Sequence, residues 1–463
     1  MGNSLYFKKS TQYAELICLI SFVVLLVIWV LPNTIALRNA LLITGGVSGF
    51  IVIIKSHFFV GRSWQEMTPL YLFSLLFVWT LVHFFFFSLN PELSLKELKG
   101  VWFRSALGAI TAIGLSIVLR LNEALRPYFF ISLFAITFIN LGVYVWLSFD
   151  AGHLLLPAEF IYKFVFKKIE AAVFSVIAIS IACANIVYLM SKKMDLKNTR
   201  HLIYWFLGIV SAILSSVVAN TKNGVAVALG LCVLLGITLV YKASFGRGAS
   251  RLKLLLPAIF IIMVIVGGWK VHNQFASQGW NTLFEDVQIS SQIDKHNFWR
   301  FNSPHWKKVE GEEFPRNSKG LLVAGNTYER ISWATQGIIL ISQYPMGYGS
   351  INQSFVGMLN HAKIEQQLES QTHSGWIDFG LAFGIPGLLI LLLTFASIIY
   401  RGHALGNQFG LIGVWLILGF MPLGVIAEIN YKHNFEILLF FIAFAAASTI
   451  DIRNKKSKDD VLS

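Results

Sequence analysis

The chain has 463 residues, 56% of them apolar and 13% charged, where a soluble domain carries about a quarter charged residues. A mean hydropathy of +0.65 excludes a soluble globule, a disordered chain and a nucleic-acid-binding body. The 39 Phe and 13 Trp suit a bilayer core and its interfaces. The composition predicts an all-α polytopic membrane protein.

A bilayer-crossing helix needs about 20 apolar residues. Twelve segments qualify: 15–31, 35–54, 70–87, 101–119, 128–149, 171–190, 201–218, 224–241, 254–268, 375–400, 409–427 and 435–450. The first run has no small-residue cleavage site behind it and is expected to be retained as a helix. Pro32-Asn33-Thr34 makes a tight turn into the second. Cys18, Cys183 and Cys232 all lie inside apolar stretches, so no disulfide framework is expected. With a cytoplasmic amino terminus, the inner segments hold 19 Lys and Arg and the short outer segments hold 8. By the positive-inside rule both termini are then cytoplasmic, and the formal charge of +13 is a topology signal.

This organisation places nine helices in residues 1–268, a loop domain at 269–374, three helices in 375–450 and a cytoplasmic tail at 451–463. A connection as long as 269–374 is usually functional or a small domain. It carries nine basic and nine acidic residues and is expected to be periplasmic and mainly helical. The outer connection 150–170 mixes Phe160, Tyr162, Phe164 and Phe166 with Lys163, Lys167 and Lys168. That pattern fits a linker resting on the membrane, and equally a basic lip beside an anionic lipid.

Ionisable residues inside the spans are few, which counts against an ion pump. Polar chemistry gathers at the outer boundary, in three elements. In Asn326-Thr327-Tyr328-Glu329-Arg330-Ile331-Ser332-Trp333, Asn326 and Glu329 have capping-box spacing and predict a helix ending before Pro345. Arg330 would lie in its first turn, where it is either a solvated surface cation or, with the helix amides, a site for phosphate oxygens. The turn Asn220-Thr221-Lys222-Asn223-Gly224 presents Lys222, either snorkelling to water or held as a point charge for a pyrophosphate. Finally, His373-Ser374-Gly375 leads from the loop into the tenth span. An imidazole there suits proton abstraction from a sugar hydroxyl, with Asp378 as a possible support. Gly384 and Gly387 read as packing positions, and Pro386 as a bend. Trp280, Trp299 and Trp306 suit sugar stacking or interface anchoring. The loop histidines His272, His296, His305, His361 and His373 lack metal-ligand spacing, so no metal is expected.

Together these elements resemble the O-antigen ligase family, within the ligase and polymerase superfamily of bacterial surface glycans. The family pattern runs His, then Asn, Ser or Gln, nine residues, Gly, two residues, and Gly, Thr or Tyr. His373-Ser374, Gly384 and Gly387 fit each fixed position. Arg330 and Trp333, followed by Pro345-Met346-Gly347-Tyr348-Gly349, are similar to the family's Arg-x-x-Trp helix and its Pro-x-x-Gly-x-Gly end. Twelve spans with one long loop between the ninth and tenth also match. Lys222 departs from the pattern, since the family usually has Arg at the start of the eighth span; Lys keeps the charge without the bidentate fork.

The resemblance implies an inner-membrane glycosyltransferase with a periplasmic site. It would move a glycan from undecaprenyl pyrophosphate to a sugar hydroxyl of lipid A–core in lipopolysaccharide assembly. Arg330 and Lys222 would bind the pyrophosphate and His373 would be the base. Transfer is expected to invert the anomeric centre and to need neither metal nor cofactor, in a monomer surrounded by membrane lipids and without nucleic acid. A polymerase using the same lipid-linked donor, and a flippase or transporter for lipid-linked glycans, are the alternatives.

Overall fold

The computed structural model describes residues 2–160, 168–192, 195–245, 282–301, 313–366, 371–428 and 432–452, and in addition 259, 262–263, 266–267 and 270. Among these, ten helices are long and apolar enough to cross a membrane, and the chain is an all-α, multi-pass membrane protein. Five lie in the first third: α1 (Gly2–Ile28), α2 (Ile35–Lys55), α3 (Trp64–Phe86), α5 (Phe103–Leu121) and α6 (Arg126–Ala151), with the short α4 (Pro91–Glu97) before α5. After α7 (Pro157–Phe160) come α8 (Lys168–Met190), α9 (Leu196–Val218) and α10 (Lys222–Phe245). The next connection contains α11 (Leu283–Ser290), α12 (Gly325–Gln343) and α13 (Ser354–His361); α14 (Gly375–Leu405), α15 (Gln408–Ile426) and α16 (Lys432–Ser448) complete the chain.

The expected ninth span, 254–268, falls largely outside the described residues, as does most of 160–168. The expected twelfth span appears as α16, whose 17 residues are short for a full crossing. The fourth span is longer than the sequence suggests. A π-helical turn, Leu98–Trp102, joins α4 to α5, so the helical run begins at Pro91.

Two helices form the interior. From Glu170 to Val187 every residue of α8 is buried, and so are the described residues of α16 from Asn434 onward. Their small residues, such as Ala182, Cys183 and Ala184 or Ala445, Ala446 and Ala447, let neighbours approach from all sides. The α2–α5 contact shows the same logic. A Cβ on Gly49 would come within 2.7 Å of the Ile110 carbonyl, and one on Gly114 within 2.4 Å of the Gly49 Cα.

Helix α14 is broken, and the break positions the loop that follows α12. Gly384 adopts φ 68° and ψ −171° inside the helical run, and Pro386 supplies no N–H to the carbonyl four residues earlier. The freed groups all find partners, as a membrane interior demands. Leu381 O accepts from Tyr348 N at 2.7 Å, Ala382 O from Gly349 N at 2.7 Å, and Ile385 N donates to Pro345 O at 2.8 Å. Phe383 O accepts from Trp79 Nε1 at 2.9 Å. Gly384 is therefore a break stitched by the 345–349 segment, rather than a packing glycine in a continuous helix. Glu97 fixes the far side of that segment. Its carboxylate accepts from Ser350 Oγ at 2.7 Å, Ile351 N at 2.9 Å and Asn352 N at 2.8 Å.

Candidate active site

Helix α12 begins at Gly325, after Ala324 as N-cap, with no capping side chain. The expected capping box at Asn326 does not form. Asp286 of α11 instead accepts from Ala324 N at 3.4 Å, which holds the backbone two residues earlier. Arg330 consequently lies in the second turn, away from the free amides of the helix start, and no anion site of amides plus guanidinium forms there.

Residues 330, 333 and 337 fall on one face of α12, and each meets a different part of the same surface. Arg330 donates through one terminal nitrogen to Ile426 O at 3.0 Å. The Trp333 ring stacks on the His373 imidazole, centroids 5.2 Å apart and 26° between planes. Gly337 lets Ile377 approach to within 2.5 Å of where a Cβ would stand. The adjoining face is fastened to the rest of the connection: Tyr328 Oη donates to His296 O at 3.0 Å, Ser332 Oγ to Ser290 O at 2.8 Å and Trp333 Nε1 to Trp299 O at 2.7 Å. Trp299 is buried and donates to Ile293 O at 3.1 Å. It is core, which removes it as a sugar platform; Trp280 and Trp306 lie outside the described residues.

Three consecutive residues at the end of α15 gather the site. Ile426 O accepts from both Arg330 and Asn223. Ala427, in extended conformation, accepts from Gly375 N at 3.1 Å. The Glu428 carboxylate contacts His373 Nδ1. This strap joins the start of α10, the second turn of α12 and the entry to α14. Sequence reasoning missed Glu428. Its signal was an acidic residue at the boundary of the eleventh span, a setting in which a carboxylate requires a partner.

His373 has φ 61°, a left-handed conformation that a residue with a side chain adopts at a cost of about 1–3 kcal/mol. Asp378 holds the residue before it, accepting from Thr372 N at 2.9 Å and Thr372 Oγ1 at 2.8 Å. Asp378 is fully buried and reaches the site through Thr372, so its part is positional. Burial, and then the Arg330 guanidinium, push the His373 imidazole from 6.5 down to about 4. At neutral pH the ring is therefore uncharged. With Nδ1 donating to Glu428, Nε2 is the nitrogen that accepts, and it has no hydrogen-bond partner among the described residues. Burial also lowers Arg330, with Glu329 opposing. Its side chain stays open to water on one side, and it is a cation throughout the physiological range.

Lys222 opens α10 and is exposed. Its neighbour Asn223, not Lys222 itself, is bonded to the strap. Thr221 Oγ1 accepts from Gly224 N at 2.9 Å and fixes the turn. The structure thus brings Arg330 and His373 to the same strap, sets Lys222 beside Asn223, which is bonded to that strap, and connects Asp378 through Thr372. Among the described residues no three His, Cys, Asp or Glu side chains group so as to hold a metal ion.

The fold and this cluster define a multi-pass membrane protein with an imidazole and cations at one end of its helices. Residues 207–392 match the family described as O-Antigen ligase, which supports an assignment to that family. The match spans Lys222, Arg330, His373 and Asp378, while Glu428 lies beyond it. No curated protein matches the chain.

Proposed function

We propose that the protein transfers a glycan from undecaprenyl pyrophosphate to a sugar hydroxyl of lipid A–core, at the periplasmic face of the bacterial inner membrane. The observation that carries this reading is the His373–Glu428 pair seated beside Arg330 on one strap. Neutral His373 accepts the acceptor hydroxyl's proton at Nε2 as the oxygen attacks the anomeric carbon. Glu428 orients the ring through Nδ1–H and offsets the imidazolium that forms, the role a carboxylate plays in hydrolase triads. The bond from that carbon to the diphosphate oxygen breaks, and the leaving group's charge falls to Arg330 and Lys222. Attack opposite the diphosphate inverts the centre. The donor is already activated, so no nucleotide is consumed, and the proposed chemistry needs no metal. The Lys and Arg excess on the opposite loops supports the periplasmic placement.

Purified protein in lipid nanodiscs, given both lipid substrates, tests the proposal. Glycan should appear on lipid A–core in EDTA. His373→Ala should lower turnover by about 10²–10⁴-fold, the usual contribution of a general base. Glycan added instead to a second lipid-linked glycan identifies a polymerase, and no transfer from wild-type protein overturns the reading.

A further inference from the structure

The end of the bundle opposite the strap carries a second group of cations. Helix α16 begins near the strap, and its 17 residues carry the chain about 25 Å away from it at 1.5 Å per residue. Just beyond α16, Ile450 O accepts from a terminal nitrogen of Arg120, in the last turn of α5. Arg120 Nε donates to Ser116 O at 3.0 Å. Its other terminal nitrogen is buried and has no hydrogen-bond partner among the described residues, a state that buried polar groups rarely keep.

A second arginine shares the same ring. The guanidinium carbons of Arg62 and Arg120 each lie 5.9 Å from the centroid of Phe58, which is buried in the turn between α2 and α3. Arg62 Nε donates to Phe58 O at 3.1 Å. The turn is fixed by its own backbone, with His57 N donating to Ile54 O at 3.1 Å and Val60 N to His57 O at 3.0 Å. Two like charges are thus held against one aromatic face. The carboxylates of this end serve other groups: Glu66 caps α3 with Ser63, Glu123 pairs with Arg126 at 3.0 Å, and Glu15 accepts from Asn122 at 3.2 Å. Asp451 is exposed and acts on Arg120 without an ion pair among the described residues.

We infer that Arg62 and Arg120 bind the phosphate diester of an anionic phospholipid headgroup at this end of the molecule. Guanidinium donors match phosphate oxygens in number and geometry, and a phosphate oxygen supplies the acceptor that Arg120 lacks. The neighbours of Arg62 favour a lipid over a soluble anion. Phe59, Val60 and Trp64 are exposed, and Trp64 leans on Tyr71 with centroids 4.5 Å apart. Exposed aromatic residues at the end of a membrane helix mark headgroup depth, where basic side chains attract anionic lipids. A choline headgroup would bring its own cation against two guanidiniums. Once bound, the phosphate joins the α2–α3 turn to the ends of α5 and α16, so anionic lipid should stabilise the fold by mass action.

The test gives the full protein in detergent either phosphatidylglycerol or phosphatidylcholine, and reads bound lipid by native mass spectrometry together with melting temperature. One phosphatidylglycerol should stay bound and raise the melting temperature; phosphatidylcholine should do neither. Arg62→Gln should lower bound phosphatidylglycerol by at least about tenfold, the scale of one charge-assisted hydrogen bond. Arg120→Gln should do the same, and if it fails to fold without its bonds to Ser116 and Ile450, Arg62→Gln decides alone. Arg200→Gln, at an exposed arginine of α9, should leave retention unchanged. No retained phosphatidylglycerol on wild type, retention indifferent to either folded variant, or an equal loss in Arg200→Gln overturns the site. Equal stabilisation by soluble glycerol phosphate without lipid overturns the headgroup assignment in favour of a soluble anion.

Discussion

Two imidazole–carboxylate pairs in this molecule have opposite surroundings. His433 Nε2 meets Glu170 at 2.6 Å where α8 and α16 begin, with side chains 17% and 3% exposed. His373 meets Glu428 through Nδ1, on a backbone at φ 61°, with Trp333 stacked on its ring and Arg330 nearby. The first pair ties together the two most enclosed helices of the bundle. The second sits where three chain segments meet on a strap, with Nε2 left to accept. Pairing with a carboxylate therefore does not distinguish the two; the nitrogen left over and the cation beside it do, and on the proposed reading they make His373 the base.

The sharpest way to break this comparison is to delete each imidazole. His373→Ala should abolish most transfer yet leave a folded protein, read as an unchanged elution profile and melting temperature in detergent. His433→Ala should do the reverse. Removing one partner of a buried hydrogen bond costs about 1–3 kcal/mol, so its melting temperature should fall while the folded fraction keeps its specific activity. A catalytic loss specific to His433→Ala would reverse the assignment of the two pairs.

A subtler change tests what Glu428 contributes. Glu428→Gln preserves shape but removes the charge that offsets an imidazolium, and it frees the ring to take the other tautomer. Turnover should fall by at least about tenfold, by analogy with triads in which the same exchange costs about 10⁴. The pH profile separates this from simple damage. Because His373 is held near 4 rather than 6.5, the wild-type rate should be flat from pH 8 to pH 5 and decline as pH nears 4. In the same window the unfolded chain takes up a proton that the folded one refuses, so stability also drops as pH falls from 6.5 toward 4. An acid limb at pH 6.5 would contradict the buried, neutral ring.

Much of this architecture was legible because hydrophobic length reports a membrane helix directly. Arg330, Trp333 and His373 were legible because their spacing and their setting at the membrane boundary are local. What pattern could not supply was the partner of each. Arg330 was expected to bind at its own helix start, yet it reaches residue 426, nearly a hundred positions along the chain. Glu428 had no neighbouring motif to mark it. Gly384 and Pro386 were read as packing and a bend, because nothing in the sequence says that residues 345–349 return to satisfy the opened carbonyls. Likewise, uniformly apolar helices carry little sign of which face meets protein and which meets lipid, so the enclosure of α8 and α16 emerges only from packing.

The mildest perturbation concerns Lys222, where the family pattern has Arg. Lys222 has no hydrogen bond or ion pair among the described residues, whereas Asn223 is fixed to the strap. If Lys222 acts as a point charge, Lys222→Arg should alter donor KM and kcat by no more than about threefold, since charge is kept and only the fork geometry changes. Lys222→Ala should raise donor KM further while leaving acceptor KM unaffected, because the lost charge faces the diphosphate alone. Raising ionic strength should narrow the difference between wild type and Lys222→Ala, as an exposed charge is screened within about 10 Å at 0.1 M salt. If Lys222→Ala retains wild-type donor KM at low salt, the residue merely snorkels to water, and Arg330 carries the diphosphate charge without it.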